Sequence, residues 1–234
     1  MRMRKKKNGA ERLLACSSVL YSHEGEPMRE PAVCVFGEDR PVYLEIGAGK
    51  GGFARGMAQK HPEVAYFAME RVSDCVVLAA EATVLAGIEN VRFLVQNADR
   101  LPEIFSDGTV DRMFLNFSDP WPKKGYAKRR LTHRRYLSLY LGLMKEGATL
   151  TFKTDNVGLF DFTLEQIAAV GLEPTKLTRD LHASEFSEGN VVTEYERAFS
   201  EQGVKINMVE IKKPVGFVPE KFEEKKISVE NEGN

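Results

Sequence analysis

Residues 42–52 read VYLEIGAGKGG, an apolar run of strand length that leads directly into a turn with four glycines. Gly47, Gly49 and Gly52 satisfy the pattern GxGxxG, and Gly47, Gly49 and Gly51 equally satisfy GxGxG. Glycines after a buried strand let the backbone approach a ligand closely, although a plain tight turn fits the same letters. The segment therefore predicts the first strand of an α/β fold, followed by a candidate ligand-binding turn.

The rest of the chain alternates between strand-like and helix-like patterns. Apolar runs of strand length are at Val42–Ile46, Val64–Met69, Val91–Val95, Val110–Leu115 and Ala148–Phe152. Amphipathic segments of helical length are at Gly52–Gln59, Asp74–Ala86, Leu131–Met144 and Leu159–Val170. This alternation predicts an α/β fold with a mostly parallel central sheet and helices on both faces. The last third predicts strands without full helices, which would finish the sheet with antiparallel strands, at Leu172–Thr178, Thr193–Phe199 and Lys205–Val209.

The composition is that of an ordinary globular domain: 29% of the 234 residues are charged and 43% are hydrophobic. We expect a basic N-terminal arm with one short helix over residues 1–40, a main domain over 41–213 and a charged, disordered tail over 214–234. Apolar runs reach only six residues, and no apolar stretch follows the basic N-terminus, so we expect no membrane span and a cytoplasmic protein. Three cysteines without a CxxC pair predict neither a zinc site nor a disulfide framework.

The formal net charge of −1 conceals two basic segments. Between residues 121 and 135 there are seven cations and no acid, and residues 1–12 hold six cations against one acid. A solvated helix face usually mixes charges of both signs, so the first of these segments is a candidate site for phosphate contacts.

Carboxylates stand near the ends of three predicted strands, namely Glu45, Glu70 and Asp119. Because ligands of open α/β sheets bind beyond the carboxyl ends of the strands, we expect these acids to face one crevice. Such a crevice would repel a pyrophosphate and suits a cationic ligand such as S-adenosylmethionine. Glu70 has the spacing from Gly47 and the strand-end position of a ribose-diol acceptor.

The third strand ends in Gln96-Asn97-Ala98-Asp99, where a polar side chain can accept a hydrogen bond from an adenine amino group. Asn97 and Asp99 are both candidates for that contact. A turn stabilised by either side chain fits the same residues.

The most distinctive segment is NFSDPWPKK at residues 116–124, which contains the only tryptophan of the chain. Two prolines around Trp121 predict a stiff loop that clamps a flat base at low entropic cost. Asp119 can accept from the N–H edge of that base. The alternative is a tryptophan that anchors the core.

Polar groups also follow the fifth strand, in FKTDN at residues 152–156, and occur in TEYE at residues 193–196. Both segments could open onto the crevice. Asp155 and Asn156 equally fit the N-cap of a following helix.

Together, EIGAGKG, NFSDPWPKK, FKTDN and TEYE resemble, in that order, the motifs of the bacterial tRNA (guanine-N7-)-methyltransferases. The resemblance covers about residues 41–211 and implies a Rossmann-like class I methyltransferase fold. It also implies methyl transfer from S-adenosylmethionine to N7 of guanine 46 in the tRNA variable loop. The implied partner is tRNA, with no metal and no membrane, and the implied assembly is a monomer or a homodimer.

The resemblance also implies roles for individual residues. Cofactor-binding positions would be Glu45, Gly47, Gly49, Glu70, Asn97 and Asp119. Substrate-binding positions would be Lys123, Asp155, Thr193, Glu194, Tyr195 and Glu196. RNA-contacting positions would be Gly125, Tyr126, Ala127, Lys128, Arg129 and Arg130. The chain departs from many family members at Asn97, where they have Asp, but the amide oxygen can still accept from adenine.

Guanine N7 has an in-plane lone pair and no proton to lose, so we expect no general base and a reaction driven by positioning. Asp119 is the expected catalytic residue, stabilising positive charge that moves onto the purine, while Trp121 shapes the pocket. The alternatives are a nicotinamide-dependent oxidoreductase, allowed by the glycine pattern, a non-catalytic RNA-binding protein on the same fold, and a small-molecule methyltransferase, which the run of cations disfavours.

Overall fold

A computed structural model describes residues 6–219 of the chain. Its centre is a seven-stranded sheet with the strand order β3-β2-β1-β4-β5-β7-β6. The strands are β1 Val42–Ile46, β2 Ala65–Glu70, β3 Val91–Val95, β4 Val110–Asn116, β5 Met144–Thr154, β6 Lys176–Thr178 and β7 Asn207–Lys212. The first five strands pair in parallel, and β7 lies antiparallel to both of its neighbours. The predicted mostly parallel sheet with an antiparallel end is confirmed.

Eight α-helices connect and flank these strands in the described part of the chain. They are α1 Gly9–Ala15, α2 Pro31–Phe36, α3 Gly52–Lys60, α4 Ser73–Leu85, α5 Leu101–Ile104, α6 Arg134–Leu143, α7 Val157–Ala169 and α8 Glu194–Ser200. The four predicted helices correspond to α3, α4, α6 and α7, with ends that differ by a few residues. The largest difference is at α6, which begins at Arg134 because His133, in extended conformation, caps it by accepting from the Arg135 N–H.

Alternate side chains of each strand enter cores on opposite faces of the sheet. In β2, Phe67 and Met69 belong to the core that packs against α5, α6 and α7. Tyr66 and Ala68 belong to the core that packs against α3 and α4. Burial on both faces explains why the central strands read as continuous apolar runs in the sequence.

The N-terminal segment packs against the domain and contains two α-helices where one was expected. Cys16 and Val19 are buried in the core on the α3 and α4 face, and Met28 and Ala32 in the core on the opposite face. Arg12 forms an ion pair with Glu81 of α4 at 2.7 Å. The basic residues 1–5 and tail residues 220–234 lie outside the described part of the chain.

The C-terminal third differs most from the sequence prediction. The predicted strand Thr193–Phe199 is wrong, because these residues form the capped helix α8: Thr193 Oγ1 accepts from the Glu196 N–H at 2.9 Å. This Thr-x-x-Glu spacing is the signature of a helix N-terminus. The strand predicted over Leu172–Thr178 is reduced to β6, and the one predicted over Lys205–Val209 is shifted to β7.

Candidate active site

The glycine turn after β1 bends the chain sharply beneath an open cavity. Gly47 and Gly49 have φ angles of 82° and 54°, which strain any residue with a Cβ atom. The Gly47 and Ala48 N–H groups both donate to the Met69 carbonyl, at 2.8 and 3.0 Å. A Cβ atom at Gly49 would meet no atom within 4 Å, so the backbone itself forms this part of the cavity wall.

Glu70, at the end of β2, is held in place by backbone donors. Its two carboxylate oxygens accept from the Gly49 N–H at 3.1 Å and from the Val72 N–H at 2.9 Å. The side chain therefore lines the cavity in a fixed orientation, with lone pairs left to accept from a diol.

Glu45 lies deeper than expected. It is 2% exposed, and its oxygens accept from Asn116 Nδ2 at 3.1 Å and from the Tyr66 hydroxyl at 3.4 Å. Burial raises the pKa of Glu45 to about 7, although the hydrogen bond from Asn116 and the charge of Lys153 oppose the rise. The expectation that three carboxylates face one crevice is therefore correct for Glu70 and Asp119, whereas Glu45 is buried at the wall of an adjoining cavity.

Two adjoining cavities, each of about 440 Å³, meet at the glycine turn, where both contact Gly47, Gly49 and Phe117. The first opens beyond the ends of β1 to β4, and its wall includes Glu70, Asn97, Asp119 and Trp121. The second is lined by Glu45, Asn116, Thr193, Glu194 and Tyr195, among others. An elongated ligand that crosses Gly49, with a diol at Glu70 and a cationic end near Glu45, fits this arrangement. The residues present therefore fit S-adenosylmethionine.

The end of β3 brings Asn97 and Asp99 to the first cavity. Asn97 Nδ2 donates to Asp99 Oδ2 at 3.0 Å, and Asp99 Oδ1 pairs with Arg135 at 3.2 Å. Because its NH₂ group is engaged by Asp99, Asn97 offers a ligand its amide oxygen, the acceptor that an adenine amino group requires.

The loop after β4 is a rigid rim of the first cavity. Phe117 and Trp121 have φ angles of 53° and 41°, which are uncommon for bulky residues. Arg130 donates to the Trp121 carbonyl at 3.1 Å, and the Arg129 guanidinium lies 5.1 Å from the Trp121 ring centroid. Trp121 is half-buried at this rim, so the alternative of a core-anchoring tryptophan is wrong.

Asp119 stands on this rim, with 72% of its side chain exposed and Arg71 at 3.9 Å. An exposed carboxylate beside Trp121 is accessible to an incoming base from solvent.

The basic segment continues from the rim as a 3₁₀ helix over Lys124–Arg129. Lys123 and Lys128 are exposed, whereas Arg130 is half-buried, with its guanidinium 4.2 Å from the Phe162 ring centroid. The three lysines of this segment are therefore exposed and accessible to phosphates, whereas Arg129, Arg130 and Arg135 also contact the loop.

The N-terminal end of α8 lines the second cavity, whereas Asp155 and Asn156, which follow β5, do not line it. Asn156 is the N-cap of α7, accepting from the Leu159 N–H at 2.7 Å, which confirms the capping alternative for that residue. Asp155 is close to Tyr195: partial burial, and then the negative charge of the Asp155 carboxylate, raise the pKa of the Tyr195 hydroxyl. The Tyr195 ring lies 4.9 Å from that of Phe117.

Glu196 does not reach either of these cavities. Its side chain is 0% exposed and forms a 2.7 Å ion pair with Lys153, which is 3% exposed. The contact of Glu196 with substrate stays a prediction; in this structure both of its oxygens accept hydrogen bonds inside the protein. Sequence reasoning assigned no role to Lys153 or Asn116. The sequence feature that could have indicated Lys153 is its position directly after the predicted strand that ends at Phe152.

Within residues 6–219, no set of three His, Cys, Asp or Glu side chains is arranged to hold a metal ion, and no helix is long and apolar enough to cross a bilayer. The three cysteines are free thiols.

Comparisons with known proteins agree with this geometry. A family model described as "Putative methyltransferase" matches residues 39–209. A tRNA (guanine-N(7)-)-methyltransferase of Streptococcus thermophilus (strain CNRZ 1066) is 41% identical over 210 residues, which cover 90% of this chain and 98% of the relative. A protein of the same name from Staphylococcus saprophyticus is 42% identical over 177 residues, covering 76% and 83%.

Solved structures show the same fold at low sequence identity. The 16S rRNA methyltransferase KamB superposes with a TM-score of 0.60 at 14% identity, covering 84% of this chain and 99% of that one. TrmN from Thermus thermophilus superposes with a TM-score of 0.53 at 22% identity, covering 78% and 47%. The strand order and these neighbours are those of class I methyltransferases. With its relatives above 40% identity, the chain belongs to the tRNA (guanine-N7-)-methyltransferases, a family of S-adenosylmethionine-dependent enzymes.

Proposed function

We propose that this chain transfers a methyl group from S-adenosylmethionine to N7 of a guanine in the variable loop of tRNA. The observation that supports this proposal most is that the cavity, its rim and the basic segment adjoin one another. The cavity wall formed by the glycine turn and Glu70 ends at the rim bearing Asp119 and Trp121, and the basic segment follows that rim directly. Such continuity suits a cationic small molecule inside and a polyanion outside.

On this proposal, the cofactor lies along the glycine turn and makes its polar contacts with Glu45, Gly47, Gly49, Glu70, Asn97 and Asp119. When bound, it supplies an electrophilic methyl group on a sulfonium. Glu70 holds the ribose diol through the oxygens that Gly49 and Val72 orient. Asn97 accepts from the adenine amino group.

The guanine enters between the rim and the wall of the second cavity that Thr193, Glu194 and Tyr195 form. We assign its contacts to Lys123, Asp155, Thr193, Glu194 and Tyr195, and assign the tRNA backbone contacts to Gly125, Tyr126, Ala127, Lys128, Arg129 and Arg130. Thr193 already caps α8, so its contact to a ligand would add to that hydrogen bond. Because the substrate is tRNA, we expect the enzyme to act in the cytoplasm.

The chemistry needs positioning rather than proton transfer, because N7 carries a lone pair and no proton. Asp119 contributes a negative charge where positive charge develops on the purine. The stiff loop keeps that charge and the Trp121 ring in place before tRNA arrives, which lowers the entropic cost of orienting the base.

The test is methyl transfer to a tRNA transcript, with the product nucleoside identified by mass spectrometry. We expect N7-methylguanosine with a wild-type transcript and none when the variable-loop guanine is replaced by adenine. Methylation of the altered transcript would place the target elsewhere. A non-catalytic RNA-binding protein would bind the transcript without transferring a methyl group, and a nicotinamide-dependent oxidoreductase would be stabilised against heat by NAD rather than by S-adenosylhomocysteine.

Asp119→Asn tests the catalytic assignment within this assay. Removing a charge aimed at the developing cation should lower kcat by about 100-fold or more at saturating cofactor. Asp39→Asn is the matched control, because Asp39 is exposed and lies before β1, at the opposite end of the sheet. Near-normal kcat for Asp119→Asn would remove Asp119 from the catalytic role.

A further inference from the structure

We propose that Lys153 and Glu196 are positioning residues, which join the end of β5 to α8 and thereby hold Asp155 and Tyr195 in place against the guanine. This inference rests on the proposed function. Glu196 would then act through Lys153, without touching the substrate.

The pair is enclosed and fully engaged. Lys153 Nζ lies 2.7 Å from Glu196 Oε2, and the two side chains are 3% and 0% exposed. Lys153 also donates to Asn190 Oδ1 at 2.9 Å, and Asn190 Nδ2 donates to Glu196 Oε1 at 2.7 Å. His182 Nε2 lies 3.2 Å from the same Glu196 oxygen. A closed ring of hydrogen bonds therefore joins β5, the loop before α8 and α8 itself.

The positions next to the pair are the ones assigned above to guanine contacts, and one of them, Tyr195, lines the second cavity. Asp155 follows Lys153 by two residues, and Tyr195 directly precedes Glu196. The Tyr195 hydroxyl is close enough to Asp155 for the charge of that carboxylate to act on it, and the Tyr195 ring lies 4.9 Å from that of Phe117. A shift of α8 along β5 would therefore displace Tyr195 from both Asp155 and Phe117.

The helix has little else to fix it. α8 has seven residues, most of them exposed, and Glu196 is its one fully buried side chain. A helix this short is marginal without tertiary contacts. The ion pair thus accounts for its placement more directly than apolar packing does.

The charge of each partner is balanced by the other inside a region of low dielectric. Neutralising only one side chain leaves the other as an uncompensated buried charge. Neutralising both leaves no charge of the pair to be compensated. This asymmetry separates a positioning role from direct substrate contact. If Glu196 bound guanine itself, neutralising Lys153 as well could not restore what the loss of the carboxylate removes.

The experiment is a double-mutant cycle with Glu196→Gln, Lys153→Met and the combined variant. Gln can still contact Asn190 and His182, and Met keeps the length of the lysine stem. Glu201→Gln is the matched control, because Glu201 is exposed at the end of α8 and belongs to no site described above. For each variant, kcat and KM for tRNA are measured at saturating cofactor, and S-adenosylhomocysteine affinity is measured by calorimetry.

We expect each single variant to lose about 100-fold in kcat/KM for tRNA, because small misplacements of this kind are that costly. The combined variant should recover to within about tenfold of wild type, which is the non-additivity of residues that act as a unit. In Glu196→Gln, S-adenosylhomocysteine affinity should stay within about twofold, a separation that a general loss of structure would not give. The two variants that lose Lys153 also lose the charge that acts on Glu45, so this criterion applies to Glu196→Gln alone. A combined loss equal to the product of the single losses would overturn the proposal.

If the single variants do not fold, the combined variant alone is the test. Folded but inactive combined protein would overturn the proposal, and folded active protein supports it. If the wild-type chain itself does not methylate tRNA, the proposed function is refuted, and the coupling between Lys153 and Glu196 is still to be tested on its own. Amide hydrogen exchange of residues 190–200 then tests the pair alone: it should accelerate in either single variant and return toward wild type in the combined one, and unchanged exchange in the single variants would refute the coupling.

Discussion

The buried carboxyl of Glu45 makes stability depend on pH in a defined direction. The structure raises its pKa from 4.5 to about 7, chiefly by burial. This rise corresponds to about 3 kcal/mol, since each tenfold change in a proton-binding constant is about 1.4 kcal/mol. The penalty falls on the ionised form, so the folded state favours the protonated carboxyl.

The pH window follows from the two pKa values. Below the unfolded value of 4.5, the carboxyl is protonated in both states and its contribution to stability is fully present. As pH rises through about 7, the folded protein must ionise a buried group, and that contribution is lost. Glu45→Gln removes this titration while keeping an acceptor oxygen for Asn116 or Tyr66. The free energy of unfolding of the variant, relative to wild type, should therefore increase by about 3 kcal/mol between pH 4 and pH 9.

The assay is urea denaturation of both proteins without cofactor at several pH values across that range. Unfolding is monitored by far-UV circular dichroism. Glu26→Gln is the control, because Glu26 is exposed and should not change the pH profile. A stability difference between wild type and Glu45→Gln that stays constant with pH would refute the reasoning. It would mean that Glu45 ionises in the fold at no cost, through its hydrogen bonds.

Three further predictions concern the interface, the glycine turn and the rim. Lys124→Ala combined with Lys128→Ala should lower the slope of log affinity for tRNA against log salt by about 1 to 2, in filter-binding titrations, and leave S-adenosylhomocysteine affinity unchanged; an unchanged slope would remove both lysines from the interface. Gly51→Ala should cost about 1–3 kcal/mol of stability in urea denaturation, because φ is +70° and the new Cβ would lie 2.9 Å from Ala79 and 3.0 Å from the Phe93 ring. Gly52→Ala, which would meet no atom within 4 Å, should cost less, and equal costs would contradict the packing argument. Because Trp121 is the only tryptophan and lines the first cavity, saturating S-adenosylhomocysteine should change the intrinsic fluorescence; a flat titration that calorimetry shows to be saturated would place Trp121 away from the ligand.

Local patterns in the sequence predicted most of the fold. The first five strands and the glycine turn are continuous in the chain, so periodicity and glycine spacing were sufficient to place them. The C-terminal end was harder, because residues 194–200 form only a short helix whose apolar positions are few. The capping signal at Thr193 and Glu196 was present, and it was the better guide there.

The chemistry of the site was predictable only where it depended on residues at strand ends. Glu70, Asn97 and Asp119 lie at the first cavity as expected. The depth of Glu45 could not be predicted, because it depends on Asn116 and Tyr66 closing over it in three dimensions. The Lys153–Glu196 pair joins residues 43 positions apart in the chain, and no local pattern shows which cation neutralises which acid.

The N-terminal segment also has a consequence for how the molecules behave in concentrated solution. β3 is an edge strand, and the segment covers part of that edge: Leu20 forms a parallel bridge to Phe93, and the Tyr21 N–H donates to the Phe93 carbonyl at 2.9 Å. The opposite edge is only the three residues of β6, which begin with a lysine. Open edges invite strand-to-strand association between molecules, and short or covered edges prevent it. Leu20 and Tyr21 thus occupy part of an edge that would otherwise be open to a strand of another molecule.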